Sequence, residues 1–220
     1  PDPDARVIVL TNAGNTFCAG ADLASDTPGT QSGGRSFVDL FRIIQASPTP
    51  IIGRIDGHAT GGGVGLVAAC DISVMRDDAK IGFTEVRLGV APAVISVVCL
   101  PKMRRADASE LFLTGERFTP SRAAEVGLIN RAVPASELDA VVDGFVDKIV
   151  RGGPTALGAA KDLIGRVPDM TTDEGFAWTA ERSAALFRSE EASEGISAFR
   201  ERRDASWVPT GRTTETPGRA

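Results

Sequence analysis

Apolar residues in the first half of the chain fall in short runs, cut by turn residues. Arg6-Val-Ile-Val-Leu-Thr11 has the β-branched character of a buried strand and is closed by Asn12-Ala-Gly-Asn15. Phe37, Leu40, Phe41 and Ile44 recur at helical spacing until Ser47-Pro48-Thr49-Pro50, where two prolines stop a helix. Pro50-Ile-Ile-Gly-Arg-Ile55 predicts a second strand and Asp56-Gly57 a turn. Gly61-Gly62-Gly63 then opens an apolar segment, Val64 to Ala69, long enough for a buried helix, and Asp71 to Met75 and Lys80 to Phe83 predict further strands. Beyond about residue 94 the pattern turns helical, over 94–103, 105–114, 119–126, 136–151, 154–166 and 171–203. One strand is expected from Leu128 to Val133, and Gly115, Gly127 and Pro134 act as punctuation. The Gly/Ser/Thr-rich stretch from Ser25 to Ser36 predicts a mobile loop, and the polar end from Thr210 to Ala220 a frayed tail.

Strands alternating with helices, then helices alone, predict an α/β core with a helical C-terminal region. The expected division is a core over 1–135, a helical region over 136–207 and a polar tail over 208–220. At 220 residues the chain is one large domain, or one with an appendage, and needs no disulfide or metal staple. Phe176, Trp178, Leu186, Phe187, Phe199 and Trp207 give the last helices more aromatic weight than a lone surface helix needs. Packing on the core or on another subunit is expected.

Net charge is -5, with 24 Lys+Arg against 29 Asp+Glu, which argues against nucleic acid or an anionic membrane as the main partner. No apolar run reaches the roughly 18 residues of a membrane span. Cys18, Cys70 and Cys99 are odd in number, widely spaced and without a CxxC pair, as expected of buried thiols in a reduced cytoplasmic compartment. The chain opens on Pro1-Asp-Pro-Asp without a signal peptide, and reads as though it begins in mid-protein.

Chemistry has few candidates. His58 is the one histidine, so any triad, Cys-His pair or multi-histidine metal site would have to use it; a packing or surface role is the plainer reading. Gly61-Gly62-Gly63 stands before a helix, where free N–H groups and the helix dipole can hold an anion or a developing oxyanion, although three glycines serve close packing or a turn equally well. The run is neither a P-loop nor a dinucleotide fingerprint. Phe17-Cys-Ala-Gly-Ala-Asp22 is a second small-residue loop, open to close approach by a ligand. Glu85, at a strand end before Arg87, would alone read as a solvated charge.

Together these segments change the reading. Phe17-Cys-Ala-Gly-Ala-Asp22, Ile55-Asp-Gly-His-Ala-Thr-Gly-Gly-Gly63, Ala69-Cys-Asp-Ile72 and Phe83-Thr-Glu-Val-Arg-Leu-Gly89 resemble, in order and spacing, the crotonase (enoyl-CoA hydratase/isomerase) superfamily. Leu113-Thr-Gly115 and Ala123-Ala-Glu-Val-Gly-Leu-Ile129 extend the resemblance over nearly the whole chain. Around Pro92-Ala-Val-Ile-Ser96 it looks most like bacterial methylglutaconyl-CoA and related hydratases.

The resemblance implies a ββα spiral with helices that drive trimerisation, as a homotrimer or dimer of trimers, and with the family's first strands missing. It implies an acyl-CoA thioester substrate whose CoA belongs to the substrate, with no separate cofactor or metal. By position, the N–H groups of Ala21 and Gly62 would form the oxyanion hole. Ala19, Gly20, Ala21, Asp22 and Leu23 would lie along CoA, and Glu85 would be the catalytic acid–base. The first glutamate of two-acid hydratases is replaced by Gly65, 20 positions before Glu85. Hydration of 2-enoyl-CoA in lipid or branched-chain catabolism is the expected activity. Δ3,Δ2-enoyl-CoA isomerisation, or thioester binding without catalysis, is the alternative. If the reaction is hydration limited by water activation, a glutamate restored at 65 is expected to raise hydration; in an isomerase it is expected to raise the Glu85 pKa and change the rate and pH profile of double-bond migration.

Overall fold

The computed structural model describes residues 5–20 and 36–210. The mobile loop expected up to Ser36, save Ser36 itself, and the frayed tail beyond Thr210 lie outside the described residues. So do Ala21, Asp22 and Leu23.

The chain forms two compact units: Ile8–Ser47 with Ile51–Val142, and Asp143–Ala220 with Pro1–Val7 and Pro48–Pro50. The first is built from repeated strand, strand, helix turns. These run β1 (Ile8–Leu10), β2 (Thr16–Cys18) and α1 (Phe37–Ala46), then β3 (Ile51–Ile55), β4 (His58–Thr60) and α2 (Gly62–Ala69), then β5 (Ile72–Arg76), β6 (Ile81–Gly82) and α3 (Ala93–Cys99). There follow α4 (Arg105–Thr114), β7 (Arg117–Phe118), α5 (Pro120–Glu125) and β8 (Arg131–Val133). The first strand of each turn joins one sheet, β1-β3-β5-β8, all parallel. The second joins another, β2-β4-β6-β7, parallel except for its last pair.

The core of the first unit is drawn from both sheets and from the helices. Ile52, Ile55, Val64, Val67, Val74, Met75, Ile81, Phe83 and Leu128 are fully buried. Burial of each such side chain contributes about 1.5–3 kcal/mol. Helix α2 packs on α1 and α3 and is buried on nearly every side, which explains its apolar composition without a polar face.

The strands expected at 6–11, 50–55 and 80–83 are present but shorter, and the one expected at 71–75 is shifted by one residue to Ile72–Arg76. The strand expected at 128–133 is confined to Arg131–Val133, because Leu128 and Ile129 direct their N–H groups to the Ala123 carbonyl and close the end of α5 instead. The helix expected at 94–103 ends at Cys99 and tightens into a 3-10 turn, Leu100–Lys102, where Pro101 enters. In the second unit, α6 (Leu138–Ile149), which begins in the first, leads to α7 (Pro154–Arg166), α8 (Thr172–Phe187) and α9 (Glu190–Glu201). The single helix expected over 171–203 is therefore two. Ser189 caps α9 by accepting the Ala192 N–H at 3.1 Å, which breaks the run.

Of the late aromatics, Trp178 lies half-buried with the guanidinium groups of Arg166 and Arg182 over its ring, both tied to Asp162. The Trp207 indole donates to the Arg151 carbonyl at 3.0 Å. Phe176, Phe187 and Phe199 are exposed in the chain.

Candidate active site

Three neighbouring parallel strands of the second sheet end side by side. Cys18 pairs with Ala59, Ala59 with Ile81 and Thr60 with Gly82. The residues following β2, β4 and β6 are Ala19-Gly20, Gly61-Gly62 and Phe83-Thr84-Glu85, so three segments distant in sequence converge at the carboxyl ends of parallel strands. Such ends are the usual location of ligand crevices in α/β sheets.

Gly61 caps α2 at φ 56 and ψ -129, a conformation that side chains disfavour, and its N–H donates to the Gly82 carbonyl at 3.3 Å. Gly62 is the first residue of α2, so its N–H has no partner within the helix and lies at the positive end of the dipole. Gly20, at φ +92, crosses this end so closely that an added Cβ would lie 2.9 Å from the Gly62 nitrogen and 3.2 Å from the Thr60 carbonyl oxygen. Gly63 faces the Cys18 carbonyl with no room for a Cβ. The glycine run therefore serves close packing and an exposed donor at once. The structure brings Ala19, Gly20, Gly62 and Glu85 into one locality.

Glu85 lies in a 3-10 turn, Thr84–Leu88, anchored by fully buried Phe83, whose ring stacks 4.2 Å from Phe112 and 6.0 Å from Phe118. Its Oε1 stands 3.6 Å from the point where a Gly61 Cβ would lie. Its Oε2 is buried without a hydrogen-bond partner. Burial pushes the Glu85 pKa above the ordinary glutamate value of 4.5, and a backbone hydrogen bond opposes this only in part. A buried carboxylate oxygen left unpaired beside a helix N-terminus is costly for stability and suits a group that must accept and return a proton. Glu85 is thus no solvated partner of Arg87, which turns to Thr114 and Glu116 instead.

The position of the family's other carboxylate is filled. A Cβ at Gly65 would overlap Ile95 Cγ2 of α3 and lie 2.7 Å from Phe41 Cζ of α1. Both side chains are buried. A glutamate cannot simply be restored there, because hydrocarbon from two neighbouring helices already occupies the space. That signal was invisible in the order of residues: Phe41 and Ile95 reach Gly65 only through helix packing.

His58 serves the surface, while Cys99 lies near enough to feel the Glu85 charge. His58 is exposed, and its Nδ1 accepts the Lys80 N–H at 2.9 Å, a surface structural role. Buried Cys99 has its thiol pushed up to about 12 by burial. The half-buried Lys102 ammonium donates to the Cys70 carbonyl at the end of α2, and burial lowers its pKa. Among the described residues no cluster of His, Cys, Asp or Glu is arranged to hold a metal, and no helix is long and apolar enough to cross a membrane.

Comparison with known proteins agrees with this geometry. The family model for enoyl-CoA hydratase/isomerase matches residues 1–210. A Thermus thermophilus protein described as a candidate enoyl-CoA hydratase is 34% identical over 92% of this chain and 83% of its own length. Carnitinyl-CoA dehydratase of Proteus mirabilis is 33% identical over 94% of this chain and 82% of its own. The crystal structure of an enoyl-CoA hydratase from Mycobacterium smegmatis superposes with a TM-score of 0.83 at 31% identity, covering 92% of this chain and 80% of that one. With the spiral of strand pairs, the glycine-opened helix and the matched sequence all in agreement, the chain belongs to the enoyl-CoA hydratase/isomerase family and has the crotonase fold.

Proposed function

We propose that the protein is a hydro-lyase that adds water to 2-enoyl-CoA thioesters, with Glu85 as its one carboxylate acid–base. The observation that carries this reading is the buried, unpaired Glu85 oxygen beside the free end of α2. The Gly62 N–H donates to the thioester oxygen; a second donor from Ala21, and the course of CoA along the segment from Ala19 to Leu23, are what the family resemblance implies. The names of two relatives, a candidate enoyl-CoA hydratase and a carnitinyl-CoA dehydratase, support a reaction that adds or removes water.

The chemistry balances with one carboxylate. Ionised Glu85 takes a proton as the oxygen of a bound water attacks C3. The C2=C3 electron pair moves to C2 and the thioester oxygen, where backbone donors and the α2 dipole stabilise the negative charge. Protonated Glu85 then delivers its proton to C2, the enolate collapses, and the carboxylate is regenerated. Hydroxyl and proton arrive on the same face, because one side chain handles both. Incubation with crotonyl-CoA should remove the conjugated thioester absorbance and yield 3-hydroxybutyryl-CoA.

A second reading follows from Gly65. Hydrocarbon in place of a second carboxylate also suits migration of a double bond, in which Glu85 carries one proton between C4 and C2. Gain of conjugated absorbance from a 3-enoyl-CoA, with no turnover of crotonyl-CoA, would favour it over hydration.

A further inference from the structure

We infer that Gly115, at the end of α4, is a positioning residue for Glu85: its missing side chain lets the turn that carries the carboxylate seat against α4. The inference rests on reading Glu85 as the acid–base.

Oε2 of Glu85 is buried without a hydrogen-bond partner, so no contact there holds the carboxylate, and its place depends on the turn. The turn is closed by the Gly89 N–H on the Val86 carbonyl at 3.2 Å and by the Val90 N–H on the Glu85 carbonyl at 3.3 Å. On either side of Glu85 it rests on the end of α4. Fully buried Phe83 stacks on Phe112, and the Arg87 Nε–H donates to the Thr114 carbonyl at 3.3 Å. Gly115 lies beside these contacts. A Cβ there would stand 2.7 Å from Cγ2 of Val86 and 3.0 Å from Cγ of Arg87, the two residues that follow Glu85.

Gly115 has φ +63 and ends α4 in the left-handed region, an ordinary use of glycine at a helix end. That use alone would accept asparagine. The Val86 contact would not, because any side chain brings a Cβ closer than nonbonded carbons pack. Arg87 can swing its long side chain aside, but the Val86 methyl is one stiff torsion from the backbone. Pressure on it passes to the segment that holds Glu85, whose carboxylate owes its raised pKa to burial.

Gly115→Asn isolates the contact, because asparagine tolerates the backbone angle. It should lower kcat for crotonyl-CoA by about tenfold or more, the scale of a small misplacement of a reacting group. KM should change little, and the acid limb of kcat should move down toward 4.5 as the carboxylate gains water. Val86→Ala in the same chain removes Cγ2 and should restore both the rate and the limb. Infrared titration of the Glu85 carboxyl, identified as the band lost in Glu85→Gln, should show the same fall and the same recovery without substrate. An unmoved Glu85 titration in folded Gly115→Asn, or no recovery in the double variant, overturns the role of Gly115. If the single variant does not fold, the double variant decides: wild-type titration in a folded protein supports the contact, and a second failure to fold overturns it. Absence of turnover in the wild type would instead contradict the hydro-lyase reading, and the infrared titration would still decide for or against Gly115.

Discussion

Glu85, the acid–base proposed above, also costs the fold stability, because one of its oxygens is buried without a partner. Burial raises its pKa, so the native protein holds the Glu85 proton more tightly than the unfolded chain does. Protonated Glu85 therefore adds stability below the ordinary glutamate range, and this contribution is lost as pH rises through the native pKa. Glu85→Gln, neutral throughout, should be more stable than the wild type near about pH 7, with the gap closing toward about pH 4. Urea unfolding at the two pH values measures this, and a less stable Gln variant at neutral pH would refute the burial argument. The same shift places the acid limb of the pH–rate profile above 4.5, and that limb should vanish with the carboxylate. Gly20 makes the matching prediction for the oxyanion donor. Gly20→Ala combines a positive φ with a Cβ 2.9 Å from the Gly62 nitrogen. Steady-state kinetics should show kcat lower by about 10²–10³, with circular dichroism unchanged. Glu85, Gly20 and Gly62 were legible as a family pattern; the unpaired Oε2 was not, because burial is a property of the assembled fold.

At the scale of elements, α2 sets the site through its neighbours. Three of its eight residues are glycine, a poor composition for a helix, and each is explained by what presses on it: Phe37 on Gly62, the Cys18 carbonyl on Gly63, and Phe41 with Ile95 on Gly65. Gly65→Ala should lower stability by about 1–3 kcal/mol through overpacking, and Ile95→Ala in the same chain should recover part of that loss. Denaturation midpoints of the two single variants and the double variant test the coupling; strict additivity would contradict the packing. By the same argument Gly65→Glu destabilises the protein rather than adding a working second acid, which corrects the expectation drawn from residue order. The long apolar or periodic segments were readable, and α1, α4 and α7 lie where their spacing placed them. Of the second sheet only β6 was readable. β2, β4 and β7 are two or three residues long, too short for alternation to register, and exist because distant partners pair with them. Together with β6, strands β2 and β4 align Gly20, Gly62 and Glu85.

At the scale of the whole molecule, the fold class followed from the family motifs and from strands giving way to helices. Side-chain exposure adds what the motifs do not carry. Leu88, Val90, Val97 and Leu113 in the first unit, and Phe176, Phe187 and Phe199 in the second, each leave more than half of their surface open to solvent in the isolated chain. Association between copies would cover apolar side chains left this exposed in a single chain. We propose a homotrimer or a dimer of trimers, so light scattering at micromolar concentration should give a mass that is a multiple of three chains; a monomer would contradict it. The central claim is narrower: one carboxylate, Glu85, moves the proton in an acyl-CoA reaction. The most direct test is crotonyl-CoA hydration by the wild-type protein and by Glu85→Gln, matched for folding and for CoA binding. Hydration by the wild type is expected, with a fall of about 10² or more in the variant. Full activity in Glu85→Gln would contradict it.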